Sequence, residues 1–285
     1  MTRVLVIDGN WYLHRCFFTL RTNRPVEEVL PYNLVSLICK DACAIKATHI
    51  LIAFDGPSIF RYKIYPEYKA NRKETKHDNI SGEEGGKEIY SYLPHIRLYL
   101  EAAGFVWIQP SEYEADDVLV SAAAQYTNAT VIFGSKDKDS YQSFSDRVMA
   151  YDSTAMPSPR YITAAMAEKA KGVKVEHMVM YQMLIGDKID NIPCLLTPAK
   201  AKKVINTWGS FKAWFAGSEE DKVWLRANQV KLKLNKQLVE MNKELTLPTL
   251  EELKVSKLER KNMPKSWYAL QDFCFPKSKG LFRKK

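Results

Sequence analysis

The stretch SEYEADDVLV, residues 111–120, gathers Glu112, Glu114, Asp116 and Asp117 in a chain whose formal net charge is +9. Carboxylates this close raise one another's pKa and repel unless water screens them or a cation sits among them. Other acids stand singly or in pairs along the chain: Asp8, Asp55, Asp137 with Asp139, and Asp187 with Asp190. Carboxylate oxygens select hard cations such as Mg²⁺ or Mn²⁺. Two such ions activate a water and stabilise the leaving oxygen of an in-line phosphoryl displacement, with no Ser, Cys or His nucleophile required. Taken alone, an Asp after a strand is more often a turn or cap residue. The joint pattern carries the argument.

The elements that must position these acids are legible in outline. RVLVIDGN (3–10), THILIAFDG (48–56) and NATVIFGSKDKDS (128–140) each read as an apolar strand that runs into an acid. Apolar runs without alternation suit parallel strands covered on both faces. Gly9 is expected in a turn. Helices are expected over about 27–46, 85–103 and 114–127, with a short strand at FVWIQ (105–109). Strands alternating with helices indicate an α/β fold with a mostly parallel central sheet flanked by helices. Ligands bind such sheets at the carboxyl ends of the strands, so Asp8, Asp55, Asp137 and Asp139 are expected to converge on one edge. A helix starting near Glu114 should put Glu114 and Asp117 on one face and Asp116 about a third of a turn away. Beyond about residue 160 the pattern turns helical, in 177–193, where the apolar helix is expected to stop at Gly186-Asp187, and at 197–211 and 219–245, before the basic tail PKSKGLFRKK, which reads as solvated.

Composition narrows the class. Hydrophobic residues make up 46% and charged residues 26% of 285 residues, an ordinary globular balance. No apolar run approaches the roughly 20 residues that span a membrane. The N-terminus is too short in apolar character for a signal peptide, so a cytoplasmic location is expected. Cys16, Cys39, Cys43, Cys194 and Cys274 lack metal-site spacing and read as reduced thiols. The positive charge favours a polyanionic partner. FRYKIYPEYKANRKE (60–74) interleaves Arg61, Lys63, Lys69, Arg72 and Lys73 with Phe60, Tyr62, Tyr65 and Tyr68, the composition of a clamp on single strands or phosphates.

VLVIDGNWYLHRCFF, FDG followed by FRYKIYPEYKANR, YEADDVLV, GSKDKDSYQ and LIGDKIDNIP occur in register from about residue 3 to about residue 215. Together they resemble the flap endonuclease/5′–3′ exonuclease family. The resemblance implies a PIN-like nuclease fold. It implies a catalytic domain over 1–160 with a helical arch at about 68–95. A helical DNA-binding region, divergent from the helix-hairpin-helix type, would follow over 161–285. It implies Asp8, Asp55, Glu114, Asp116 and Asp117 as ligands of a tighter metal site, Asp187 and Asp190 as ligands of a second, and Asp137 and Asp139 between them. Lys69 and Arg72 would contact the scissile phosphate, with Asp116 in the catalytic core. Tyr68 would stack on an unpaired base. Two or more Mg²⁺ or Mn²⁺ ions and a DNA partner bearing a 5′ flap, nick or 5′ end follow, with RNA–DNA hybrids as a second substrate and a monomeric state. The products would carry 5′-phosphate and 3′-OH ends, in replication primer and flap removal in a bacterial or phage-infected cytoplasm.

One segment departs from the family pattern. Where a glycine-rich hairpin holds DNA phosphate and K⁺, this chain reads NIPCLLTPAKAKKV (191–204), without glycine. That puts a K⁺ site in question and shifts phosphate binding to Lys200, Lys202 and Lys203. It fits a phage-type or divergent stand-alone enzyme. Two other classes remain open: a non-catalytic DNA-binding relative, against which the intact acids argue, and a metal-dependent ribonuclease of the PIN-like group, against which YKANR argues.

Overall fold

The structure is a computed structural model and describes residues 2–20, 25–73, 89–155 and 160–255. The order is β1 (Arg3–Asp8), α1 (Gly9–Thr19), α2 (Val26–Ile45), β2 (His49–Ala53) and α3 (Ile59–Ile64), then α4 (Leu93–Ala102), β3 (Val106–Ile108), α5 (Ala115–Gln125), β4 (Thr130–Gly134), β5 (Val148–Asp152) and β6 (Arg160–Ile162). The chain closes with α6 (Ala164–Lys171), α7 (Met178–Ile185), α8 (Pro198–Trp208), α9 (Phe211–Phe215) and α10 (Glu219–Val239). Short 3₁₀ turns occupy Ala70–Lys73, Asp139–Ser143 and Val175–His177.

The strands form one sheet in the order β3-β2-β1-β4-β5-β6, parallel except where β6 runs against β5. β1 is central because both its faces are apolar. Val4 and Val6 enter one core with α5, α7 and α10 residues, whereas Leu5 and Ile7 enter the other with α1, α2 and α4 residues. Leu5, Val6 and Ile7 are fully buried, and each contributes roughly 1.5–3 kcal/mol by leaving water. The registers Asp8↔Ala53 and Ile7↔Gly134 bring the carboxyl ends of β1, β2 and β4 level, so the residues just beyond them share one edge.

Several expectations change. Gly9 opens α1 rather than making a turn. A Cβ there would stand 2.7 Å from the Phe54 ring, so glycine permits the close approach of α1 to the end of β2. β5 and β6 are additional strands. A boundary at residue 160 falls inside β6, and one apolar cluster joins Val6 of β1 to Leu232 of α10. The apolar helix stops where expected, at Gly186: it ends at Ile185, because Gly186 takes φ +63° and a Cβ there would meet the Ile192 carbonyl at 2.5 Å. Most of the expected arch and the basic tail, with Cys274, lie outside the described residues. Among the described residues no helix is long and apolar enough to cross a membrane.

Candidate metal centre

The turns after β1, β2 and β4 deliver three acids to the shared edge. Asp8 caps α1 and accepts from the Trp11 amide at 2.9 Å and from Ser135 Oγ at 3.3 Å. Asp55 is fixed from both sides, by Asn10 Nδ2 and by the Ala115 amide, each at 2.8 Å. Asp137 Oδ1 accepts from the Asp139 amide at 2.8 Å. Asp139 accepts from Gln182 Nε2 of α7 at 2.6 Å, which ties the sheet edge to the helical part. Across the cleft, Asp187 accepts the Ile189 and Asp190 amides at 2.6 and 3.1 Å. Glu114, Asp116, Asp137, Asp139, Asp187 and Asp190 line one cavity.

Asp116 sits at the centre of the field. Its Oδ1 is buried and has no hydrogen-bond partner. Burial first, then Asp137, Asp8, Asp55 and Glu114, push its carboxyl well above the usual range. Burial with Asp55 and Asp137 pushes Asp8 up to about 7, and burial with Asp137 pushes Asp139 up to about 6. An unpartnered buried oxygen among mutually repelling carboxylates, with no nitrogen or sulfur donor, fits hard divalent cations. Among the described residues no group of three or more His, Cys, Asp or Glu side chains forms a ready-made coordination shell. The acids surround the cleft instead.

Glu114 and Asp117 differ from Asp116. Glu114 is the N-cap of α5, and a reciprocal capping box with Asp117 keeps the two carboxylates on one side of the helix start, where Arg61 Nη1 reaches them at 3.7 and 2.6 Å. Glu114 accepts from Ser58 Oγ, from Lys69 Nζ and from the Tyr68 hydroxyl at 3.2 Å. Burial pushes its carboxyl up, but the Lys69 and Arg61 cations outweigh it and hold the group below its ordinary value. Asp117 is 1% exposed and turns under the cluster to Arg61, whose Nη1 and Nη2 reach it at 2.6 and 3.0 Å. The Asn242 and Glu114 amides complete its shell at 2.9 and 3.1 Å. The structure thus leaves Asp117 no free oxygen for a metal and gives it a structural partner. Arg61, at 3% exposed, is no phosphate clamp. It also donates from Nε to the Leu238 carbonyl at 3.1 Å, anchoring the end of α10.

Lys69 stands at φ +60° in the left-handed region, which costs a non-glycine residue of order 1–3 kcal/mol. The strain is held by its amide, which donates to the Asp190 carbonyl at 3.0 Å, and by the ammonium contact with Glu114. Ser58 and Asn191 share positive φ and flank the same corner. Tyr68 is 4% exposed, with its hydroxyl on Glu114 and Asp190 and its ring against Tyr62 and the Lys69 ammonium. It is a buried hub, and its ring has no open face for a base. Arg72 lies in a 3₁₀ turn, and its side chain is outside the described residues. Lys200 and Lys203 are exposed on α8 and are not among the residues that line the cavity, and Lys202 is half-buried. The 191–197 segment that precedes them is pinned by Leu195 and Leu196 amides on the Leu184 carbonyl.

Asn10, Ser58, Ser135, Lys171 and Gln182 were not anticipated at the site. Asn10, Ser58, Ser135 and Gln182 are common residues, each far in sequence from the acid it bonds, and only the fold brings them and Lys171 to the site.

Three comparisons bear on this architecture. Residues 3–172 match the family described as 5′–3′ exonuclease, N-terminal resolvase-like domain. The chain is 30% identical over 262 residues to a thermostable DNA polymerase I of Thermus thermophilus, covering 86% of this chain but 29% of that protein. It spans less than a third of such polymerases. It is 26% identical over 285 residues to a 5′–3′ exonuclease of Aquifex aeolicus, covering 95% of this chain and 92% of that one. Its fold matches the bacteriophage T5 D15 flap endonuclease with a TM-score of 0.69 at 21% identity, over 83% of this chain and 88% of that one. A carboxylate-lined cleft at the carboxyl edge of a mostly parallel sheet, and a sequence match across more than half its length, place the chain in the flap endonuclease/5′–3′ exonuclease family.

Proposed function

We propose that this chain hydrolyses phosphodiester bonds at 5′ flaps, nicks and 5′ ends of DNA, and of RNA primers on DNA, leaving 5′-phosphate and 3′-OH. The supporting observation is Asp116, whose buried oxygen lacks a partner amid Asp8, Asp55, Asp137 and Glu114. The bacteriophage T5 D15 flap endonuclease, whose fold this chain shares, has been crystallised as a complex with DNA and metal ions, which agrees with this reading.

Mg²⁺ or Mn²⁺ ions held by Asp8, Asp55, Glu114 and Asp116, and by Asp139, Asp187 and Asp190, with Asp137 between, would supply Lewis acidity and a nucleophilic water. The protein's own groups do the rest. Asn10 and the Ala115 amide aim Asp55, Ser135 aims Asp8, and Gln182 aims Asp139. Lys69 is placed against Glu114 to meet charge that develops on the scissile phosphate, and Arg72 and the α8 lysines Lys200, Lys202 and Lys203 would hold flanking phosphates. A K⁺ ion has no support from the glycine-free 191–204 segment.

The test is cleavage of a labelled 5′-flap duplex and a matched nicked duplex. Cutting at or near the flap junction supports the reading. The flap/nick ratio separates endonuclease from exonuclease preference. Tight binding without cutting in Mg²⁺ would move the chain to the class of non-catalytic DNA-binding relatives.

A further inference from the structure

Lys171 is the last residue of α6, followed by Gly172 in the left-handed conformation that ends the helix. Cations are favoured at a helix C-terminus. The side chain is half-buried and lines the same cavity as Asp116, Asp139 and Asp187. Its surroundings contrast with those of the other cations there. Lys69 is committed to Glu114, and Arg61 to Asp117 and the Leu238 carbonyl. Glu168, one helical turn back, is spent on the Val175 amide at 3.0 Å. Among the described residues, the Lys171 side chain has neither an ion pair nor a hydrogen bond. Its charge is still felt in the cleft. Burial and Asp137 drive the Asp139 carboxyl up, while Gln182 and Lys171 oppose them.

A second lysine extends the feature outward. The Lys202 ammonium of α8 lies against Gly172, so close that a Cβ there would stand 3.1 Å from its Nζ. Lysines from two elements therefore flank the end of α6: Lys171 lines the cleft, and the Lys202 ammonium lies against Gly172. An ammonium half-withdrawn from water without a partner is costly unless an anion completes it. The cleft carboxylates make no ion pair with Lys171 among the described residues, so an anion from outside the protein is free to complete it.

We propose that Lys171 binds a non-bridging oxygen of a substrate-strand phosphate at the inner end of a track that begins at Lys202. The proposal rests on the nuclease reading above. Lys171 is then a catalytic residue that binds substrate, distinct from Lys69 in element and in partner.

The test compares wild type with Lys171→Met, which keeps the apolar stem, and with Lys171→Arg. Affinity for a 5′-flap duplex is measured in Ca²⁺ between about 50 and about 200 mM salt, and cleavage is measured in Mg²⁺ under single-turnover conditions. Loss of one charge-assisted phosphate contact should weaken binding about tenfold and lower the salt slope by about one, with Lys171→Arg restoring most of both. Wild-type affinity and slope in Lys171→Met, while the wild type cuts the flap, would overturn the Lys171 assignment alone. A loss that tracks melting temperature and is not restored by Lys171→Arg would overturn it too. A wild type that fails to cut overturns the nuclease reading, and the assignment falls with it.

Discussion

Asp117 and Arg61 form a two-pronged ion pair, at 2.6 and 3.0 Å, beneath the acid cluster rather than within it. One residue earlier, Asp116 has an oxygen with no partner at all. Adjacent carboxylates on the first turn of one helix thus do different work. One fastens α5 to α3 and the end of α10, and the other faces the cleft.

The contrast predicts opposite mutational signatures. Asp117→Asn should cost about 3–5 kcal/mol, because it strands a buried guanidinium. Asp116→Asn should leave the fold intact and raise the metal-free melting temperature, since it removes a repelled charge. Thermal unfolding of both variants in EDTA checks this. Equal losses of stability would contradict the division of roles.

Asp116→Asn should also lower Mg²⁺-dependent cleavage by at least about a hundredfold, since the open oxygen is the one suited to a cation. Single-turnover rates at saturating Mg²⁺ provide the check. Unchanged turnover would remove Asp116 from the metal set.

Lys69→Ala should slow the chemical step by about a hundredfold or more while flap affinity falls much less, because a cation near the scissile phosphate acts on transition-state charge. The readout is the split between the single-turnover rate and the dissociation constant. A change in affinity alone would make Lys69 an ordinary phosphate contact.

The metal-free protein should lose stability as pH rises from about 4 to about 7. Asp8 is raised from 3.8 to about 7 and Asp139 from 3.8 to about 6, in each case by burial before neighbouring charge. The folded state therefore binds more protons than the unfolded state across this window, so unfolding free energy falls with pH. The stability is fully present below the unfolded value and is lost as pH passes through the folded one. Mg²⁺ should flatten the slope. Denaturant midpoints at several pH values, with EDTA and with Mg²⁺, measure it.

The sheet edge was legible because each apolar strand ran directly into its acid, and parallel registers leave few other places for Asp8, Asp55 and Asp137. The role of Asp117 was not. The spacing of Glu114 and Asp117 puts them on one side of the helix start, which the capping box bears out, but it does not show what holds Asp117. The partner that fixes Asp117 is 56 positions away, in a segment whose basic and aromatic composition pointed to DNA. Tyr68 misled for a similar reason. Composition marks an aromatic, but the cavity formed by Ile192 and Leu238 buries its ring. β6, with three residues paired at the sheet's edge, carries too little apolar signal to stand out.

The most direct measurement is Mn²⁺ binding by wild type, Asp116→Asn and Asp117→Asn, followed by electron paramagnetic resonance on folded protein. The carboxylate cleft predicts bound Mn²⁺ in the wild type, binding at least about tenfold weaker in Asp116→Asn, and near-native affinity in whatever Asp117→Asn remains folded. Equal binding by wild type and Asp116→Asn would contradict a metal centre built on Asp116.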